Sequence, residues 1–235
     1  MKLLKETELD YSPVVANNRM NRQRGSSGVN SYEKELGLTP EIFLSERINH
    51  FGHATWLDLC CGEGRALVQA ANYFRQKGMQ EKINLQGIDL IGDFPSIQDQ
   101  VPSIQWVQRS LHDWQPVGPY DLITIVHGLH YIGDKLKLIE KAVNSLREGG
   151  LFVGHLDLDN LAIENKNHGR FFKTLFMHQG FVYNGRTKLL QHPGSVPVTF
   201  NLDYLGADDS TGPNYTGQEA VTSCYSRKLI HDGRG

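Results

Sequence analysis

Between residues 54 and 156 strand-like and helix-like segments alternate, and few architectures accommodate that pattern. Ala54 to Leu59 reads as a strand that runs into Cys60-Cys61-Gly62-Glu63-Gly64, after which Leu67, Ala70, Ala71 and Phe74 recur at helical spacing. Ile83 to Asp89 and Ile104 to Gln108 read as strands with a short helix around Ile97 between them, and Asp121 to Val126 as a strongly apolar, buried strand. Lys135 to Arg147 carries Leu136, Ile139, Val143 and Leu146 on one helical face, with Gly149-Gly150 as its stop and Leu151 to Leu156 as another buried strand. Each crossover between parallel strands is right-handed and lays its helix on a sheet face, so the pattern predicts a mostly parallel sheet covered on both faces.

The flanks behave differently. The first thirty residues, with Arg19, Arg22 and Arg24 ahead of Gly25-Ser26-Ser27-Gly28, show no sustained periodicity and read as a loop-rich arm over residues 1–38. Thr39-Pro40 then opens a helix expected to run to about Asn49, since Thr caps and Pro suits the first turn. Residues 39–235 form one domain in this reading, with a late antiparallel segment from about 160. That segment holds a helix around Phe171 to His178, a tight turn at Asn184-Gly185, and strands over Val196 to Leu205 and Ala220 to Ser226. The connection Ala207 to Gly217 is too long for a simple hairpin, which marks it as a functional loop.

Composition narrows the class. Across 235 residues, 24 Lys and Arg oppose 26 Asp and Glu, a formal charge of −2, so nucleic acid is disfavoured as a partner. Three cysteines, two of them adjacent, offer neither a disulfide framework nor a metal-binding CxxC. Met1-Lys2-Leu3-Leu4 turns polar at Lys5, and no apolar run reaches the roughly 20 residues a bilayer span needs. The expected location is cytoplasmic, without a membrane partner.

A strand, a glycine turn and a helix let backbone N–H groups approach a polar ligand without obstruction by Cβ. A dinucleotide G-x-G-x-x-G pattern fails here: anchored on Gly62 it meets Leu67, and anchored on Cys60 it meets Arg65. Asp58-Leu59-Cys60-Cys61-Gly62-Glu63-Gly64 instead resembles the first motif of the class I S-adenosylmethionine-dependent methyltransferases, an acidic residue followed by a glycine-rich turn, with Cys60 where the first glycine is usual. Asp89 after Gly87-Ile88, the His127-Gly128-Leu129-His130-Tyr131 turn and Leu146-Arg147-Glu148-Gly149-Gly150-Leu151 follow in the family's order, so the resemblance covers about residues 54 to 156.

That resemblance implies a Rossmann-like methyltransferase fold with antiparallel C-terminal strands, and S-adenosyl-L-methionine as cofactor. It implies cofactor contacts from Asp58, Cys60, Gly62 and Gly64, from Asp89 and Leu90 at the ribose, from Ser110 and Leu111 at adenine, and from His127. His155 is the leading general base or substrate anchor, with Asp157 able to orient it if the strand extends that far, and His127 and Tyr32 are the other catalytic candidates. Arg24, Asn30 and Tyr32 lie where relatives often carry a lid. His127-Gly128 stands where the metal-using members place Asp, so no metal is expected. The proline-rich turn of base amino-methylation and a Pro-Cys nucleophile are missing, which favours a small-molecule or modified-peptide acceptor, with oxygen as the expected methylated atom. An RNA or protein methyltransferase and a non-catalytic cofactor-binding protein are the competing readings.

Overall fold

The computed structural model describes residues 2–16, 23–95, 103–164, 166–194 and 196–228. A seven-stranded sheet runs in the order β3-β2-β1-β4-β5-β9-β8. Its strands are β1 (Ala54–Leu59), β2 (Ile83–Asp89), β3 (Ile104–Gln108), β4 (Tyr120–Ile125), β5 (Leu146–His155), β8 (Val182–Asn184) and β9 (Leu189–Pro193). The first five are parallel, whereas β9 runs antiparallel to β5 and β8 antiparallel to β9. The segment around Ile97, expected as a short helix, lies outside the described residues.

Alternation along the strands splits the core between two faces. Trp56, Leu85, Leu122 and Val153 meet α4 (Pro40–Phe51) and α5 (Arg65–Gln76), which bury Leu44, Ile48, Leu67, Ala70 and Phe74 against them. Leu57, Leu59, Ile123, Ile125 and Phe152 point the other way, toward Leu136, Ile139 and Val143 of α6 (Lys135–Val143) and Phe172 and Phe176 of α7 (Gly169–His178). Asp134 caps α6 by accepting from the Lys137 N–H at 3.1 Å. The fold class expected from the alternation is the one observed.

Two boundaries differ. Helix α6 stops at Val143 rather than Arg147, because the Ser145 carbonyl accepts from the Tyr120 N–H and Leu146 already pairs with Tyr120 in the sheet. Helical spacing at Leu146 is therefore coincidental: Gly149, at φ +68°, sits in a bulge within β5 and ends no helix. The late strands begin later than the hydrophobic runs suggested, at Leu202–Asp208 (β10) and Thr222–Arg227 (β11). They belong to a second sheet, β10-β11-β6-β7, completed by β6 (Leu161–Ile163) and β7 (Lys166–Asn167).

Among its described residues the arm holds three short helices, α1 (Glu6–Leu9), α2 (Pro13–Ala16) and α3 (Tyr32–Leu36). Leu9 and Val15 pack against Tyr131, Ala207 and Val221, and Leu4 bridges to Ala207, which ties the arm to the second sheet. Ser26 Oγ donates to the buried Glu41 carboxylate, and Ser31 caps α3 through the Lys34 N–H. No helix among the described residues is long and apolar enough to cross a membrane.

Candidate functional site

Strand order reverses between β1 and β4, and in open α/β sheets ligands bind beyond the carboxyl ends of the strands at that crevice. A cleft of about 850 Å³, counted out to its solvent-open mouth, occupies the place. Cys60, Cys61 and Gly62 after β1, Asp89 to Ile91 after β2, Arg109 to Leu111 after β3, and Val126 to Gly128 after β4 form its walls. Asp10, Val15, Arg24 and Tyr32 reach over from the arm.

The turn after β1 is held open by backbone shape. Cys60 and Gly62 adopt φ of +55° and +61°, the left-handed region a side chain resists. A Cβ on Gly128 would lie 2.5 Å from that of Cys60, so glycine there lets the β1 and β4 turns meet. Gly62 N–H donates to Asp89 Oδ2 at 2.9 Å and Ile91 N–H to Oδ1 at 3.1 Å, aiming a nearly buried carboxylate into the cleft wall. Gly64 serves packing instead: a Cβ there would sit 2.2 Å from the Trp106 ring, which stacks on Phe94.

Asp58 lies wholly buried and outside the cleft lining. It accepts from Tyr32 Oη at 2.7 Å and Thr124 Oγ1 at 2.6 Å, and Thr124 accepts in turn from Trp56 Nε1 at 2.8 Å. Burial raises its pKa to about 7 against the opposing pull of those two hydroxyls. Tyr32 is thus a strut between α3 and β1, with its hydroxyl committed to Asp58 and its proton held more tightly by burial.

At the ends of β4 and β5 a buried cluster forms beside the cleft. His127, at φ +58°, stacks on His155 with ring centroids 4.1 Å apart and planes within 5°. Glu35 Oε2 stands 3.1 Å from His127 Nε2 and 3.8 Å from His155 Nε2, while Glu35 Oε1 accepts from Arg24 Nε at 3.0 Å. The hydrogen bond with His127 brings the Glu35 pKa down to about 2, so this carboxylate is ionised and only accepts. His127 Nε2 therefore carries the proton, leaving Nδ1 as an acceptor 3.3 Å from Tyr215 Oη. Burial first and then His127 lower the His155 pKa to about 3, so that ring is neutral. Glu35, His127 and His155 are close enough to surround a cation, yet the imidazole planes are parallel and their lone pairs do not converge as coordination requires.

The cleft collects Cys60, Gly62, Asp89, Leu90, Ser110, Leu111, His127 and Tyr32 of the residues singled out in the sequence, whereas Asp58, Gly64 and His155 do not line it. Ser110 Oγ donates to Asp10 Oδ1 at 2.9 Å, a tether between the arm and the end of β3. Asp157 does not orient His155, because β5 ends at His155 and Asp157 accepts instead from Lys188 Nζ at 2.9 Å and the Tyr215 N–H at 3.2 Å. Glu35, Arg24 as its partner, and Thr124 were not singled out as members of these networks. Glu35 sits in an ordinary amphipathic stretch, and nothing in its neighbours along the chain points to His127, 92 residues away.

A family model described as a methyltransferase domain matches residues 38–188. Trans-aconitate 2-methyltransferase of Rhizobium etli is 25% identical over 130 residues, covering 53% of this chain and 48% of that protein. The protein of the same name from Azoarcus sp. (strain BH72) is 27% identical over 101 residues, covering 43% of this chain and 38% of that one. The chain thus spans about half the length, or less, of the curated relatives it matches. Among solved structures, the plantazolicin methyltransferase BpumL with a desmethyl analog and SAH gives a TM-score of 0.39 at 18% identity, covering 51% of this chain and 46% of that one. Coclaurine N-methyltransferase gives 0.43 at 15%, covering 66% and 48%.

Proposed function

The chain belongs to the methyltransferase-domain family, and on that footing we propose that it moves a methyl group from S-adenosylmethionine to an oxygen of a small-molecule or modified-peptide acceptor. One observation carries the reading: a single cleft joins a carboxylate fixed by two backbone donors, Asp89, to the imidazole of His127, whose Nδ1 makes only a 3.3 Å contact with the Tyr215 hydroxyl. The cleft's own chemistry suits the cofactor. Gly62, at φ +61°, carries the turn at the cleft wall, Asp89 offers paired acceptors to a diol, and Leu90 and Leu111 give an apolar slot beside Ser110 for a flat base. When bound, S-adenosylmethionine supplies a methyl carbon on a sulfonium centre, open to in-line displacement.

The protein's part is to align the nucleophile and exclude water. His127 Nδ1 takes the proton of an acceptor hydroxyl that displaces the long contact from Tyr215, and ionised Glu35 stabilises the imidazolium that results through Nε2. General-base assistance of this kind contributes about 10²- to 10⁴-fold. His155, made a weaker base by its burial, stacks on the His127 ring. The arm, through Arg24 and Tyr32, closes the mouth.

The test pairs titration calorimetry against S-adenosylmethionine with a radiolabelled-methyl screen over metabolite, peptide and RNA pools. Binding, with label in a small or peptide acceptor in a base-labile ester or a base-stable ether, is expected. Absence of binding, or label confined to RNA, would sink the proposal.

A further inference from the structure

The arm brings one carboxylate to the cleft wall, that of Asp10. It follows α1 directly and lines the cleft together with Leu90, Ser110 and Leu111, with 25% of its side chain exposed. Both flanks are fixed. Leu9 is buried on Tyr131, Ala207 and Val221, and Ser12 Oγ donates to Asp209 Oδ2 at 2.6 Å. Asp10 thus keeps its place through its chain neighbours, and its own carboxylate is left to meet the cleft.

The protons around that carboxylate can be assigned. Ser110 Oγ lies 2.9 Å from Asp10 Oδ1 and 2.8 Å from His112 Nδ1. A hydroxyl has one proton and a carboxylate only accepts, so Ser110 donates to Asp10 and His112 Nδ1 donates to Ser110. The imidazole N–H is then spent on Ser110, which leaves Oδ2 with a 3.5 Å approach to that same nitrogen and no closer donor among the described residues. An open carboxylate oxygen beside Leu90 and Leu111 suits a donor carried on an apolar frame, as the exocyclic amine of an aromatic base is. Arg24 and Arg109 line the same cleft and offset Asp10 and Asp89, so a free cation gains little there.

We infer that Asp10 selects an amino-bearing base for the cleft, so that the arm, and not the sheet alone, discriminates adenine from its oxo counterpart. The inference rests on the proposed use of S-adenosylmethionine, with the slot at Leu90 and Leu111 taking the base. An exocyclic amine donates to Asp10 Oδ2, whereas an oxo group in its place sets acceptor against acceptor. Because Asp10 belongs to the arm and is tied to the end of β3 only through Ser110, the same contact joins the arm to the bound cofactor.

Titration calorimetry of the full chain tests this with S-adenosylhomocysteine and two analogues, one with oxygen and one with hydrogen in place of the exocyclic amino group. The wild-type chain should bind S-adenosylhomocysteine at least about tenfold more tightly than the oxo analogue and about threefold more tightly than the unsubstituted one. Asp10→Asn, whose amide can present either a donor or an acceptor, should bring the first ratio to within about threefold. Ser110→Ala keeps the carboxylate and should keep the ratio near tenfold, even where all three ligands weaken together. A merely structural Asp10 would weaken the three ligands equally in Asp10→Asn and leave the ratio unmoved, which would overturn the inference while cofactor binding stands. Equal binding of the three by the wild-type chain, or a ratio lost in Ser110→Ala, would overturn it as well. A wild-type chain that binds none of them would overturn the methyl-transfer reading and this inference together.

Discussion

Asp89 and His127 divide the proposed chemistry between them, and substitutions should separate their effects. Replacing Asp89 by Ala removes a charge-assisted contact of about 1.5–3 kcal/mol, so S-adenosylhomocysteine affinity should fall at least tenfold by calorimetry. Because Asp89 also anchors the Gly62 and Ile91 N–H groups, Asp89→Asn, which keeps one acceptor, should lose less. His127→Asn should lower kcat by about 10²- to 10⁴-fold with cofactor affinity within about threefold, since the ring is placed to meet the acceptor. Equal losses in kcat for His155→Asn and His127→Asn would mean that the stack, rather than the His127 nitrogen, carries the effect. Gly64→Ala tests a different property: its Cβ would enter the Trp106 ring at a left-handed φ, with an expected cost of about 1–3 kcal/mol in stability.

Among elements, the arm is a wall of the site as well as an appendage. Asp10, just past α1, and Val15 of α2 line the cleft, and Leu9 and Val15 bury themselves on Tyr131, Ala207 and Val221. Removing residues 1–16 strips those two side chains, worth about 3 kcal/mol together. In a chain of this size that corresponds to a melting temperature lower by about 6–12 °C. Turnover should fall by tenfold or more with the fold retained, as circular dichroism would register. A cut extended through Tyr32 would also uncover buried Asp58, so it would confound lid loss with damage to β1.

For the whole molecule, two displaced carboxyl groups set opposing pH trends. Asp58 titrates near 7 when folded against 3.8 ordinarily, so the native state holds its proton where the unfolded chain has released it. Its contribution is complete below about pH 4 and is lost as pH rises toward 7. Glu35, lowered from 4.5 to about 2, contributes above about pH 4.5 and loses its share as pH falls toward 2. Melting temperature followed from pH 4 to 8 should therefore decline between about pH 4 and 7 and level off above that, and Asp58→Asn should flatten the decline. An unchanged slope would show that Asp58 ionises at its ordinary pKa in the fold.

Periodicity alone was enough for the parallel sheet, because strand alternation and helical spacing are local properties written into neighbouring residues, as Leu67 to Phe74 and Asp121 to Val126 illustrate. The glycine turn and Asp89 were legible for a similar reason: positive φ and a strand-end carboxylate are demands made by a few adjacent positions. Leu146 misled because an apolar residue fits a helix or a buried strand equally, and only pairing with Tyr120 decided between them. The Glu35–His127–Tyr215 chain had no local signature. Its members come from the arm, the end of β4 and the β10–β11 loop, and hydrogen bonds between residues up to 92 positions apart form only after the two sheets and the arm have packed together.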